Sequence, residues 1–237
     1  MLLYGCEMLQ PGNAVAPPLV VITFDDAHRT VYERAWPVMR SFDSTWAATH
    51  FFTVQMIGSP DHTTLNQLRE MEAAGWESGG HGISHTNLSA LPLDEAVHQI
   101  DSSYAFLRNN GLSTHSFAYP YGNYRPELHA YVRQRFSNIR TSHDFHYGNG
   151  INRQELGYFA VRNFHTAEDI FARVEQARAG VESLVIIGFH AVISDTSPPI
   201  DMGYTREYVY RRFLAFMKKG RYRVLPVHRA MEELDCR

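Results

Sequence analysis

Apolar residues along this chain follow two spacings in turn. Short continuous runs suit strands buried on both faces, and stretches where apolar residues return every three or four positions suit amphipathic helices. Leu19–Phe24 predicts a first strand and Val31–Arg40 a helix. Ala47–Val54 predicts a second strand, and Thr64 is placed to cap a helix that carries Leu65, Leu68 and Met71 and stops at Gly75. Trp76–Ser78 predicts a third strand, followed by a loop rich in glycine and histidine. Leu93, Ala96, Val97, Ile100, Tyr104 and Leu107 mark one face of a long helix that ends at Gly111.

The alternation continues. His115–Ala118 predicts a fourth strand, Pro126 opens a helical segment to about Phe136, and Asn138–Thr141 predicts a fifth strand. Ser142–Gly157 reads as a polar loop and Tyr158–Val161 as a sixth strand. Thr166-Ala167-Glu168-Asp169 resembles a capping box that opens a helix to about Arg178. Leu184–Phe189 predicts a seventh strand and Ala191–Gly203 a proline-containing loop. Val209, Phe213, Phe216 and Met217 stripe a further helix, and Tyr222–Leu225 and Val227–Leu234 predict a last strand and helix.

Strand-then-helix order with fully apolar strands implies a parallel sheet covered by helices. Seven or eight such units without a linker predict one domain over residues 19–237, behind an irregular segment 1–18. The expected fold is α/β, a closed or nearly closed β/α barrel, with chemistry at the C-terminal ends of the strands. An open doubly wound sheet is the alternative, but no glycine fingerprint for a dinucleotide or phosphate follows any strand.

Composition narrows the function classes. Of 237 residues 44% are hydrophobic and 20% charged, which suits a sizeable core. The net charge of -3 and the lack of a Lys/Arg run give no reason to expect nucleic acid. No apolar stretch approaches the roughly 20 residues of a membrane span. Leu2-Leu3-Tyr4-Gly5-Cys6 is similar to the end of a lipoprotein signal, without the basic and apolar regions that precede one. Cys6 and Cys236 are the only cysteines, and they lie near the two ends; a terminal disulfide is expected only if the protein matures outside the cytoplasm.

The predicted strand ends gather the reactive side chains. The first ends in Asp25-Asp26, and two adjacent carboxylates at a strand end must face a metal, a cation or water, because burying unpaired charge is costly. The third leads to His81 and His85, the fourth to Tyr119-Pro120-Tyr121-Gly122, the sixth to Arg162 and the seventh to His190. Two imidazoles and one carboxylate match a catalytic zinc site that keeps a position open for water.

Taken together, Thr23-Phe24-Asp25-Asp26, His81-x-x-x-His85, Phe117-Ala118-Tyr119-Pro120-Tyr121-Gly122 and an apolar strand ending in His190 resemble the polysaccharide deacetylase family, with its NodB homology domain. The resemblance implies a distorted (β/α)7 barrel. It implies removal of N- or O-acetyl groups from a carbohydrate polymer or oligomer with one divalent ion, zinc or similar, and it favours an extracytoplasmic location. Carried over by position, Asp25 corresponds to the catalytic base, Asp26, His81 and His85 to the metal ligands, Tyr121 to the residue whose backbone N–H holds the oxyanion, and His190 to the catalytic acid. Hydrolysis of another small amide and non-catalytic carbohydrate binding are the alternatives.

Three positions depart from the family pattern. Ala118 stands where the third motif commonly begins with Arg, Gly188 where a Leu usually precedes the final His by two, and Ala191 where an acidic residue often follows it. Arg162 is expected to replace the missing guanidinium, because it follows the run Tyr158–Val161 and should emerge at the rim within reach of Asp25. Asp144 and Asp195 are candidates to orient His190, and Tyr147, Tyr204 and Phe164 to stack on a sugar ring. His98 and His129 read as helix residues, His143 and His146 as loop residues, and Trp36, Trp46 and Trp76 as core.

Overall fold

The computed structural model describes residues 17–142, 150–200 and 203–236. Cys6, His143, Asp144, His146 and Tyr147 lie outside them, as does most of the segment expected to be irregular. Eight parallel strands form the main sheet: β1 (Leu19–Phe24), β2 (Thr49–Phe52), β3 (Glu77–Gly80), β4 (Ser116–Ala118), β5 (Asn138–Arg140), β6 (Phe159–Ala160), β7 (Leu184–Phe189) and, beyond a two-stranded insertion, β10 (Val224–Leu225). The order is β5-β4-β3-β2-β1-β7-β6. One edge of β1 is shared: Val20 pairs with Val224 of β10, and Thr23 with Thr49 of β2.

The helices are α1 (Trp36–Phe42, entered through a π-type turn at Val31–Ala35), α2 (Leu65–Ala73), α3 (Leu93–Asn109), α4 (Pro126–Val132), α5 (Ala167–Ala179), α6 (Glu207–Lys219) and α7 (Val227–Asp235). Thr64 and Thr166 close full capping boxes with Gln67 and Asp169. Each box satisfies backbone N–H groups that a helix start leaves unpaired.

The alternation along β1 explains why the sheet curls. Val20, Ile22 and Phe24 enter the core under the helices, with Phe52, Val185, Ile187 and Phe189. Leu19 and Val21 face the other way, into an interior cluster with Phe51, Ala118, Leu184 and Ile186. Both faces are therefore apolar, as expected for parallel strands covered on both sides. The outer edges almost meet: Leu156, just ahead of β6, forms a parallel bridge with Arg140 of β5.

The start of α7 plugs the interior below the strands. Val227 N–H donates to Thr49 Oγ1 at 2.8 Å, and His228 N–H donates to Glu77 at 3.0 Å. Thr49 donates in turn to Glu77 at 2.8 Å. The fold is thus an incomplete, distorted β/α barrel of one domain, and the alternative of an open doubly wound sheet does not apply. One expectation needs correction. The segment after His190 is not all loop: β8 (Ala191–Ile193) pairs in parallel with β9 (Tyr204–Arg206) as a separate two-stranded sheet.

Candidate active site

β1 delivers the two carboxylates to different surroundings. Period-two alternation places Asp25 on the interior face after Leu19, Val21 and Thr23, and it is 3% exposed. Its N–H still donates to Phe189 O at 3.0 Å, so the backbone is sheet up to this residue. Asp26 and Ala27 then adopt φ of 66° and 58°. Such left-handed non-glycine residues cost of order 1–3 kcal/mol each and persist where the surroundings over-determine them. Here the turn swings the Asp26 carboxylate over the rim.

His81 and His85 meet it there. His81 Nδ1–H donates to Ala118 O at 2.7 Å, which leaves Nε2 as the lone-pair nitrogen. That Nε2 lies 3.5 Å from Asp26 Oδ1, and His85 Nε2 lies 3.0 Å from the same atom. Gln99 on α3 braces the loop between them, accepting from Ile83 N–H at 2.8 Å and Ser84 N–H at 3.1 Å. One donor atom from each of Asp26, His81 and His85 lies within 4.8 Å of the others. Two imidazoles, one of them oriented by a carbonyl, and one carboxylate suit a zinc-like divalent ion with open positions. Burial alone would raise the Asp26 pKa, but the two imidazoles outweigh it and hold the carboxyl far below its ordinary range.

Asp25 has a guanidinium partner, and it is not Arg162. Arg140 Nη2 donates to Asp25 Oδ2 at 2.6 Å, with side-chain exposures of 2% and 5%. Burial pushes the Asp25 pKa up, and the charges of Arg140, His190 and His81 together bring it below its ordinary value. Arg140 is the cross-strand partner of Ala118 in the β4–β5 register. The guanidinium therefore stands one strand over from the position where Arg was expected, at the same level. Arg162 makes no ion pair with Asp25 because the chain turns at once: His165 N–H donates to Arg162 O at 3.0 Å, and Arg162 N–H donates to His165 Nδ1 at 2.8 Å.

His190 ends the interior face of β7, after Leu184, Ile186 and Gly188. Its Nε2 lies 4.0 Å from Asp25 Oδ2 and 3.8 Å from Asp26 Oδ2, so it overlooks both carboxylates. Its Nδ1 is buried with no partner among the described residues. Asp195 does not serve it, since its carboxylate accepts the Tyr208 N–H at 3.0 Å near the start of α6.

Tyr121 has φ of 60°, and its ring, 61% exposed, lies 4.8 Å from that of His85. The turn is pinned at Gly122, where a Cβ would come within 2.1 Å of Ser142. Of the expected sugar platforms, Phe164 is 67% exposed on the rim turn after β6, whereas Tyr204 is buried in β9. Trp46 and Trp76 are core, and so is His129, at 6% exposed.

Arg140 is the residue that sequence reasoning missed. A three-residue strand Asn138-Ile139-Arg140, with Ile139 facing the helices, does put Arg140 on the interior face. That signal becomes readable only once the sheet is known to curl.

Comparisons with known proteins identify the family. The model of the polysaccharide deacetylase family matches residues 12–135, a span that includes Asp25, Asp26, His81, His85 and Tyr121. YxkH of Bacillus subtilis (strain 168), whose name assigns it to the polysaccharide deacetylases, is 31% identical over 121 residues, 51% of this chain and 43% of that protein. The chain thus matches less than half the length of that relative. Peptidoglycan deacetylase PdaC of Bacillus subtilis superposes with a TM-score of 0.61 at 16% identity, covering 94% of both chains. A family 4 acetyl xylan esterase of Clostridium thermocellum, in complex with a cobalt ion, superposes with a TM-score of 0.62 at 19% identity, covering 90% of both. At these identities the structures speak for the fold alone. The family model, however, spans just over half of the sequence, and by that match this chain belongs to the polysaccharide deacetylase family.

Proposed function

We propose that this chain is a metal-dependent hydrolase that removes acetyl groups from an N- or O-acetylated carbohydrate polymer or oligomer. The observation that carries the reading is one rim holding two different constellations side by side. Asp26, His81 and His85 form a donor triad, and next to it stands Asp25, paired with Arg140 and faced by His190. Asp26, His81 and His85 would hold a divalent ion, most simply zinc. Such an ion supplies a Lewis acid that polarises an acyl oxygen and makes a nearby water acidic.

The remaining steps belong to the chain's own side chains. Asp25 takes the proton of the attacking water, since Arg140 keeps it ionised and occupies only one of its oxygens. The Tyr121 N–H, turned by its left-handed backbone, stabilises the charge that develops on the acetyl oxygen. His190, protonated, donates to the departing sugar nitrogen or oxygen, without which the tetrahedral adduct would expel water again. Phe164 and the Tyr121 ring are exposed aromatic faces suited to a pyranose.

The two solved relatives, a peptidoglycan deacetylase and an acetyl xylan esterase, support an acetylated glycan and leave N- and O-linked acetyl both in view. Such polymers lie outside the cytoplasm, which is where we place the activity. The test is acetate release from chitooligosaccharides, peptidoglycan and acetylated xylan by zinc-loaded and chelator-stripped protein. Release that depends on zinc supports the reading. Equal release after stripping, or none from any acetylated glycan, rejects it.

A further inference from the structure

The Arg140–Asp25 pair is held by less than its burial suggests. Only one corner of the guanidinium is tethered, by the 2.6 Å bond to Asp25, while Arg140 Nε and Nη1 have no hydrogen-bond partner among the described residues. A single bond leaves the fork free to rotate about it. The other neighbours of the guanidinium are aromatic: Arg140 Cζ lies 3.8 Å from the Tyr158 ring centroid and 5.1 Å from that of Phe51, and Tyr158 joins Asp25 in raising the Arg140 pKa. Stacking on aromatic rings suits a planar, delocalised cation.

Both rings are seated over glycines. A Cβ on Gly188 would come within 2.3 Å of Tyr158 Cδ2 and 2.5 Å of Cε2. A Cβ on Gly79 would come within 2.4 Å of Phe51 Cδ1. Any side chain at Gly188 therefore displaces the Tyr158 ring. Gly188 pairs with Thr23 of β1 and with Ala160 of β6, so it lies directly beneath Asp25 and His190 on the interior face. The Tyr158 ring fills the space that the absent side chain leaves and becomes the floor under both.

We infer that Tyr158, seated over Gly188, is a positioning residue that fixes the plane of the Arg140 guanidinium and through it the orientation of Asp25. Two of the departures seen in the sequence, Ala118 and Gly188, are then parts of one rearrangement. Ala118 leaves room for Arg140 to cross from β5, and Gly188 leaves room for the ring that steadies it.

This inference rests on the deacetylase reading for its kinetic test but not for its structural one. Tyr158→Leu should lower kcat by about 10- to 100-fold, the range that a misplacement near 1 Å produces, with KM and zinc content little changed. Tyr158→Phe keeps the ring and should restore most of the rate. Gly188→Ala should fall about as far as Tyr158→Leu, and the double variant should fall no further than either single one, because the added methyl then has no ring to strike. Independently of turnover, the Arg140 Nε–H proton should resonate upfield in the wild type and in Tyr158→Phe, and move downfield in Tyr158→Leu and in Gly188→Ala. A wild type that binds zinc but releases no acetate would reject the deacetylase reading, and the resonance would then decide the inference. A wild-type kcat in Tyr158→Leu, an additive loss in the double variant, or an unmoved resonance overturns it.

Discussion

Arg140 reaches Asp25 from the edge strand of the sheet. Arg140 is on β5 and Asp25 follows β1, with β4, β3 and β2 between them, yet their side chains meet at 2.6 Å. Four inter-strand steps in a flat sheet would separate them by about 19 Å, beyond the reach of any side chain. The contact exists because the sheet curls and brings the two strands face to face across the interior.

This pair is predicted to matter for folding as well as for turnover. Arg140→Met leaves the buried Asp25 carboxylate without its cation, and removing one member of a buried pair costs about 3–5 kcal/mol. Arg162→Ala removes a half-buried strand-end residue with no ion pair to Asp25, and should change stability by no more than about 0.5 kcal/mol. Urea unfolding midpoints of the two variants test the contrast. A stable Arg140→Met variant with normal kcat would remove Arg140 from the account.

Asp26, His81 and His85 make a separate prediction. The wild type should take up about one zinc equivalent, and Asp26→Ala, His81→Ala and His85→Ala should each weaken uptake by orders of magnitude. Metal analysis after dialysis against a weak chelator reads this directly. Full occupancy in all three variants would show that the ion is held elsewhere.

Beneath the site, Glu77 gives a pH signature of its own. Burial raises its pKa from 4.5 to about 7, with the hydrogen bonds from Ser116, His228 N–H and Thr49 opposing. Between those values the folded chain holds a proton that the unfolded chain has released. Stability from this residue therefore falls as pH rises from about 4.5 to about 7 and is level above that. The loss is of order 3 kcal/mol at most. Glu77→Gln keeps an acceptor for His228 N–H and cannot ionise, so its urea midpoint should drop less than that of the wild type between pH 5 and pH 8. Parallel profiles would mean that Glu77 is ionised throughout.

His190 is tested through the alkaline side of the rate profile. With a base that must be ionised and an acid that must be protonated, kcat/KM is bell-shaped in pH. His190→Ala should lower the rate and flatten the alkaline limb. An unchanged limb would assign the acid elsewhere.

Much of this was legible in the sequence, for local reasons. β1 and β7 span the six-residue apolar runs Leu19–Phe24 and Leu184–Phe189, because continuous apolar runs leave little choice of boundary. The Thr64 cap and the Thr166 capping box stand where short-range chemistry put them. Asp26, His81 and His85 converge because each follows a strand, and parallel strands end on one rim. What could not be read depends on distant pairing. β8 is three residues long and finds its partner across a loop containing Pro198 and Pro199. The Arg140–Asp25 contact spans 115 positions and depends on the curl of the whole sheet. Arg162 looked right because it follows the run Tyr158–Val161 and should emerge at the rim, but nothing local revealed that the chain turns there onto His165.

The central claim is that the adjacent carboxylates Asp25 and Asp26 divide the work, one moving a proton and the other holding an ion. The most direct test is acetate release by zinc-loaded Asp25→Asn, measured beside the wild type on the same acetylated oligosaccharide. The amide still accepts from Arg140 and leaves the donor triad intact, so zinc content should be unchanged, while the rate should fall by about 10²–10⁴, the share of a lost general base. Near-normal acetate release by the fully loaded variant would contradict the account.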